Sequence, residues 1–271
     1  MTAHAKPKQT ASRTIRFRIL RCDGPGEPSR WEAFDVPVDP GMNIISCLQL
    51  IAAHPVTVEG VKTTPPVWDS GCLEEVCGAC TMVINGGVRQ SCSCLLDSIA
   101  PADGDTVTLE PMTKFPVVRD LWVDRSRLFN DLQRIQGWVP IDGFYAHGPG
   151  PKESPEHQEM RYKLSECMSC GCCLEACPQY SLEDAEASER GGAFVGAAVL
   201  SQVRYFNEHE TGKSLAAQRL DTLSGPGGVS ECGNAQNCVE VCPKHIPLTE
   251  SIAAMGRAVT WHNIRKFFAG R

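Results

Sequence analysis

The sequence predicts an α+β protein built in two parts, a small unit of strands with one helix over residues 10–120 and a mostly helical unit over residues 121–271. Three observations carry that expectation. Short runs of alternating apolar and polar residues recur as far as Leu109, the apolar spacing turns helical after Leu121, and most of the 15 cysteines fall into three compact groups. The first group lies in the strand-rich part and the other two in the helical part. A chain of 271 residues with 42% hydrophobic and 21% charged residues suits two folded domains of modest size.

The elements follow in order. Residues 14–22 alternate as a strand does, and a Gly/Pro turn from Gly24 to Pro28 leads to a second alternating run ending in Phe34, Val36 and Val38. Ile44, Ile45, Leu48 and Ile51 mark an amphipathic helix between Met42 and Ala53. Thr81 to Ile84 and Val88 to Ser91 flank Asn85-Gly86-Gly87, a hairpin signal because Asn-Gly supplies the positive φ angles of a tight turn. Thr106 to Leu109 closes this half as a strand. Beyond it, Leu128, Leu132 and Ile135 share one helical face between Asp124 and Ile135. Residues 140–160 are rich in Pro, Gly and His and read as a surface connection. Helical stretches are expected at 183–207 and 213–223, a Ser/Gly/Pro loop at 224–230, and a last helix from about Leu248 to Phe268.

Composition excludes several classes of function. With 26 basic against 32 acidic residues the net charge is −6, so no basic field marks a nucleic-acid partner. Met1 to Thr14 lack the apolar core of a secretory signal. The longest apolar stretch, Ala193 to Val203, is about half of what a membrane span needs and reads as a buried helix. The expected setting is a reducing compartment, where cysteines bind metals or do redox work instead of forming disulfides.

The cysteine spacings are specific. Cys72-x4-Cys77-x2-Cys80 followed by Cys92 is the plant-type [2Fe–2S] pattern, in which a loop wraps two irons and the fourth thiolate comes from a separate segment. Gly71, Gly78 and Ala79 suit a backbone that must approach the cluster and aim amides at its sulfurs. A zinc site is the rival, although zinc knuckles pair two C-x2-C units. Cys94 competes with Cys92 as the fourth ligand, since two positions apart on a strand face the same way.

Cys167-x2-Cys170-x2-Cys173-x3-Cys177-Pro178 is the bacterial ferredoxin run, whose fourth cysteine serves the other cluster of a pair. Its partner run is Cys232-x5-Cys238-x3-Cys242-Pro243, where the template would place a further cysteine at Ala235. The expected sets are Cys167, Cys170, Cys173 and Cys242 for a [4Fe–4S] cluster, and Cys177, Cys232 and Cys238 for a [3Fe–4S] cluster lacking the iron that position 235 would hold. Cys22, Cys47, Cys94 and Cys172 read as small buried residues. The fold expected is thus a plant-type ferredoxin (β-grasp) domain followed by an α-helical domain resembling bacterial ferredoxin.

This order of clusters, the stretch Cys72 to Gly86, the stretch Pro116 to Asp124 and both Cys-Pro runs resemble the iron–sulfur subunits of succinate dehydrogenase and quinol:fumarate reductase over roughly residues 14–260. The resemblance favours Cys92 over Cys94. It implies an electron-transfer subunit that joins an FAD-containing flavoprotein to a quinone-reactive membrane anchor, held peripherally at the cytoplasmic face of the membrane. Many relatives carry a Ser and a Trp pair after the first Cys-Pro and a His after the first cysteine of the second run. Here Gln179, Tyr180, Ser181 and Leu182 follow Pro178, and Gly233 follows Cys232. That departure points to the branch with a dihaem cytochrome b anchor and menaquinone.

No other catalytic set is visible. Gly148-Pro-Gly150 and Gly225-Pro-Gly-Gly228 read as turns, and no carboxylate–arginine set for succinate is evident, so dicarboxylate chemistry is expected on a partner. His4 and His54 read as exposed, and His245 as packed or solvated. Arg265, Lys266 and Arg271 beside Trp261, Phe267 and Phe268 suit a headgroup or anchor surface as well as a solvated helix end. The competing functions are fumarate reduction in the reverse direction, a soluble thiol-linked fumarate reductase, and a structural zinc protein.

Overall fold

A computed structural model of the chain describes residues 13–140, 153–183 and 192–269. The chain divides into two compact units, one formed by the residues up to Met112 with Val117–Val123, the other by Thr113–Pro116 and everything from Asp124.

The first unit is a five-stranded sheet in the order β2-β1-β5-β3-β4. Strand β1 (Arg13–Arg21) pairs antiparallel with β2 (Arg30–Val38), setting Ile15 opposite Val36 and Phe17 opposite Phe34. The alternation works as expected: Ile15, Phe17 and Ile19 are buried, and Arg16 and Arg18 face out. Strand β5 (Thr106–Glu110) joins β1 in parallel and β3 (Thr81–Ile84) antiparallel. The β3–β4 hairpin, with β4 at Gly87–Gln90, turns through Asn85 and Gly86 at φ of 51° and 76°. Helix α1 (Ile44–Ala53) buries Ile44, Ile45, Cys47, Leu48 and Ile51 in the unit's core, and the Asn43 side chain caps its start by accepting the Ser46 N–H at 2.9 Å.

Two small elements escape the alternation pattern. Helix α2 (Leu96–Ile99) is a single turn, and β6 (Val117–Arg119) pairs with β7 (Trp122–Val123) around Asp120, which sits at φ 47°. Both are too short to show a period. Arg21 continues the inward face of Ile15, Phe17 and Ile19, and is fully buried. It is neutralised there by Asp120, also fully buried, at 2.9 and 3.2 Å, and by Glu32 at 2.5 Å. Asp120 also accepts the N–H groups of Cys22 and Val67.

The second unit is helical: α3 (Ser126–Arg134), α4 (Pro155–Ser165), α5 (Cys172–Glu175), α6 (Gly196–Glu208), α7 (Ala216–Ser224), α8 (Asn237–Glu240) and α9 (Leu248–Ala269). Helix α6 is the centre, packing most extensively on α9 and burying Ala197 to Ser201 and Val203. Of the stretch 183–207 expected to be helical, the described part forms a helix from Gly196, whose φ of 82° no L-residue adopts easily, and residues 192–195 are not helical. Residues 184–191 lie outside the described residues. The surface connection expected over 140–160 is corrected at its end, where α4 begins at Pro155 with Ser154 as N-cap. That Pro is the first helical residue, where no N–H is needed, so it opens the helix instead of breaking it. Residues 141–152 lie outside the described residues. Among the described residues no helix is long and apolar enough to cross a membrane.

Candidate metal centres

The first centre is a loop, residues 71–80, that has no helix or strand of its own and runs directly into β3, yet has a defined backbone. Leu73, Glu75 and Gly78 take left-handed φ values of 60°, 55° and 70°. The turns aim amides at sulfur. Cys72 Sγ accepts N–H groups from Glu74 at 3.3 Å, Val76 at 3.2 Å and Cys77 at 3.3 Å. Cys77 Sγ accepts from Cys72 at 3.4 Å and Ala79 at 3.5 Å. The Glu75 N–H reaches Cys92 Sγ at 3.3 Å. Hydrogen bonding from Glu74 and then Val76 pulls the Cys72 thiol down to about 7. Burial pushes Cys80 up to about 12, a cost that a bound cation would remove. At Gly71 a Cβ would stand 3.1 Å from Cys77 Sγ, which explains the glycine.

Cys92 lies just past β4, and its carbonyl accepts the Asn43 side-chain N–H at 2.9 Å. The alternative Cys94 has its thiol fully buried in the core and pushed up by that burial, and its carbonyl accepts the Ile44 N–H. The loop's amide goes to Cys92.

In the second unit the thiols are shared between two recesses. One of about 370 Å³ is lined by Cys167, Cys170, Cys172, Cys173 and Cys242. The other, about 330 Å³, is lined by Cys177, Cys232 and Cys238, with Ala235 among them. Each run therefore sends one cysteine across to the other run's recess. Left-handed Ser169 and Gly171 fold the first run, and Asn234 and Gln236, on either side of Ala235, fold the second. The Asn237 side chain ties the two by donating to the Ala176 carbonyl at 3.0 Å. The Cys170 thiol is pulled down to about 7 by hydrogen bonding from the Cys172 side chain, whereas burial pushes Cys167 and Cys173 up.

Gly233 marks the departure at the second recess. A Cβ there would stand 2.7 Å from Gln179 Nε2, so Gln179 fills the space that a larger residue after Cys232 would need. His245 and His54 are exposed, as are Trp261, Phe267 and Phe268, and Lys266 pairs with Asp221 at 2.7 Å. His4 and Arg271 lie outside the described residues.

The donors fit iron–sulfur clusters. They are thiols with backbone N–H groups aimed at several of them, and a cluster needs sulfur ligands plus hydrogen bonds to sulfur. Among the described residues no three or more His, Cys, Asp or Glu side chains draw together as one metal ion would need.

Three such thiol sites on such a fold define a class, the multi-cluster iron–sulfur electron carrier. Family profiles agree: a 2Fe-2S iron-sulfur cluster binding domain matches residues 16–130, and a 4Fe-4S dicluster domain matches residues 163–246. The chain is 49% identical to a succinate dehydrogenase iron-sulfur subunit of Bacillus subtilis, over 94% of its own length and 96% of the relative's. It is 28% identical to a fumarate reductase iron-sulfur subunit of Wolinella succinogenes, over 90% and 97%. Its fold matches a chain of the Mycobacterium smegmatis Sdh1 complex in the apo form with a TM-score of 0.73 at 22% identity, over 92% and 96%. The chain belongs to the family of succinate dehydrogenase iron–sulfur subunits, the electron-transfer component of the succinate:quinone oxidoreductase complex.

Proposed function

We propose that this subunit carries electrons from an FAD-containing flavoprotein through three centres to menaquinone, in a complex held at the cytoplasmic face of the membrane by a cytochrome b anchor. The 10–120 region holds the [2Fe–2S] centre on Cys72, Cys77, Cys80 and Cys92. The 121–271 region holds the [4Fe–4S] centre on Cys167, Cys170, Cys173 and Cys242, and the [3Fe–4S] centre on Cys177, Cys232 and Cys238. Bound there, the clusters supply one-electron transfer at potentials set by hydrogen bonding and burial.

The chain's own residues do the rest. The amides of residues 72–79 hold negative sulfur without a side-chain cation. Ala235 withholds a thiolate from the second recess. Gln179 fills the place of the residue that would follow Cys232, and Ser181 and Leu182 offer no aromatic ring for a quinone, which supports quinone chemistry on the anchor. The observation that carries this reading is the crossed distribution of the two runs between two recesses, Cys242 lining the first with Cys167, Cys170 and Cys173 and Cys177 lining the second with Cys232 and Cys238, with Ala235 at the vacant template position.

The test is detergent purification of the tagged subunit from its own cells. The expected result is co-purification of a flavoprotein and a haem-containing membrane protein, about nine iron atoms per subunit, and no succinate oxidation by the subunit alone. A colourless subunit with stoichiometric zinc, or one that oxidises succinate unaided, overturns the reading.

A further inference from the structure

Behind the first cysteine loop lies a buried polar network that ligation of the cluster does not require. Thr81, Gln90 and Ser91 are 3%, 1% and 0% exposed. Gln90 ends β4 two positions before Cys92, at a place where burial ordinarily selects an apolar side chain. Ser91 Oγ donates to the Cys80 carbonyl at 2.8 Å, and Thr81 Oγ1 donates to the Gly78 carbonyl at 2.8 Å. Gln90 Nε2 donates to Thr81 Oγ1 at 2.7 Å. The other end of the same amide faces the ligand: Gln90 Oε1 lies 3.6 Å from Cys80 Sγ and accepts from its S–H.

Burying these groups costs free energy unless each is hydrogen-bonded, so the network has to stay satisfied when the sulfur changes state. As a cluster ligand Cys80 is a thiolate and has no hydrogen to give. The Oε1 lone pairs would then oppose a negative sulfur. A half-turn of the carboxamide exchanges its oxygen and nitrogen, which occupy nearly the same space, and presents Nε2–H to the sulfur. The Thr81 hydroxyl can follow by rotating its hydrogen from the Gly78 carbonyl to Oε1, which gives up its bond to that carbonyl in exchange for one to the amide oxygen.

We propose that Gln90 is a positioning residue that donates its side-chain N–H to the Cys80 sulfur and thereby raises the reduction potential of the [2Fe–2S] centre. The proposal rests on the assignment of Cys80 as a ligand. Reduction adds negative charge to the cluster, and a donor to sulfur stabilises that charge more than it stabilises the oxidised form.

The experiment uses the assembled complex. In Gln90→Met, which keeps length and apolar bulk but lacks the amide, the one-electron equilibrium should shift about tenfold against reduction, a fall in midpoint of about 59 mV. An EPR redox titration reads this, with the other centres as internal controls that should not move. In wild-type complex grown with glutamine labelled with ¹⁵N only at the side-chain amide, pulsed EPR of the reduced centre should show a nitrogen coupling that Gln90→Met lacks. An unchanged midpoint in a fully loaded Gln90→Met, or no ¹⁵N coupling in the wild type, overturns the proposal. Should Gln90→Met fail to assemble, Gln90→Leu and the wild-type ¹⁵N measurement decide alone. A wild-type complex without any [2Fe–2S] signal would instead strike at the ligand assignment, so the two failures are distinguishable.

Discussion

Arg21 shows what one residue can demand of its surroundings. It occupies an inward position of β1, and its guanidinium is fully buried against Asp120 and Glu32. Taking two charges out of water costs several kcal/mol per ion, which the pair recovers only while both partners and the Cys22 and Val67 N–H groups are in place. Arg21→Met should therefore destabilise the protein by about 3–5 kcal/mol, because Asp120 is left charged and buried. Denaturant titration of the variant checks this, and the double variant Arg21→Met/Asp120→Asn, which removes the buried charge but keeps a side-chain oxygen for the N–H groups and suits the positive φ, should recover part of the loss. A single variant as stable as the parent would show that the ion pair is dispensable. The sequence signals only half of this: alternation puts Arg21 inward, but its partner lies 99 residues away in an element too short to have a period. Gln90 was hidden the same way, as a polar residue at an inward strand position whose meaning needs the distance to Cys80.

At the scale of elements, much of the backbone strain lies where the sulfurs are. Of the nine non-glycine residues with positive φ among the described residues, six (Leu73, Glu75, Ser169, Asn234, Gln236 and His245) lie in the cysteine loops, and Asn85, Asp120 and Gln136 lie elsewhere. Such conformations cost of order 1 kcal/mol or more each, and in the first loop they turn amides onto Cys72 and Cys92. Helix α1 contributes through Asn43, whose Oδ1 caps the helix while its Nδ2 holds the Cys92 carbonyl. Asn43→Ala should cost about 1 kcal/mol from the lost cap and also loosen Cys92. Asn43→Asp keeps the cap but replaces the donor with an oxygen that repels the Cys92 carbonyl. The expected outcome is that both variants lose [2Fe–2S] iron to a chelator faster than the parent, with only the alanine variant clearly lower in melting temperature. Equal iron retention in all three would remove the anchoring role. A pH effect belongs to the start of α3, where the Ser126 hydroxyl and then the Ser126 N–H hold the Asp124 carboxyl below its usual range. A depressed carboxylate stabilises above its unfolded value of about 4 and loses that contribution as pH falls through the folded value. Asp124→Asn should thus be less stable than the parent near pH 7, with the difference closing on acidification; a gap that persists at low pH would contradict this.

Across the whole molecule, legibility followed periodicity and spacing. The sheet, α1, the hairpin at Asn85-Gly86 and the last helix were readable because each repeats a short period or carries one decisive turn. Helix α4 was not, because Pro155 counts against a helix until Ser154 is seen capping it. The crossing of Cys177 and Cys242 between the two recesses was readable because a pair of ferredoxin runs exchanges its last cysteines. Spacing also sets Ala235 with Cys177, Cys232 and Cys238, and all four line the second recess; what spacing could not supply was the backbone that holds residue 235 there. Left-handed Asn234 and Gln236 fix the backbone on either side of Ala235. Ala235→Cys should therefore bring a fourth thiol to a recess that has three. Cluster type and net charge set the potential, and an added thiolate favours the oxidised form. A fall of ~200 mV would move the one-electron equilibrium by roughly 10³-fold at ~59 mV per decade. Succinate-to-dye transfer in the assembled complex should survive while quinone reduction falls. The direct measurement is EPR of the oxidised complex, where a [3Fe–4S] centre is paramagnetic and a [4Fe–4S] centre of the low-potential kind is silent. The wild type should show the signal and Ala235→Cys should lose it, with iron rising by about one atom per subunit. A fully iron-loaded wild type without that signal would overturn the assignment of Cys177, Cys232 and Cys238. A variant that keeps the signal, with its new thiol shown to face the recess, would mean that the identity of residue 235 does not select the cluster.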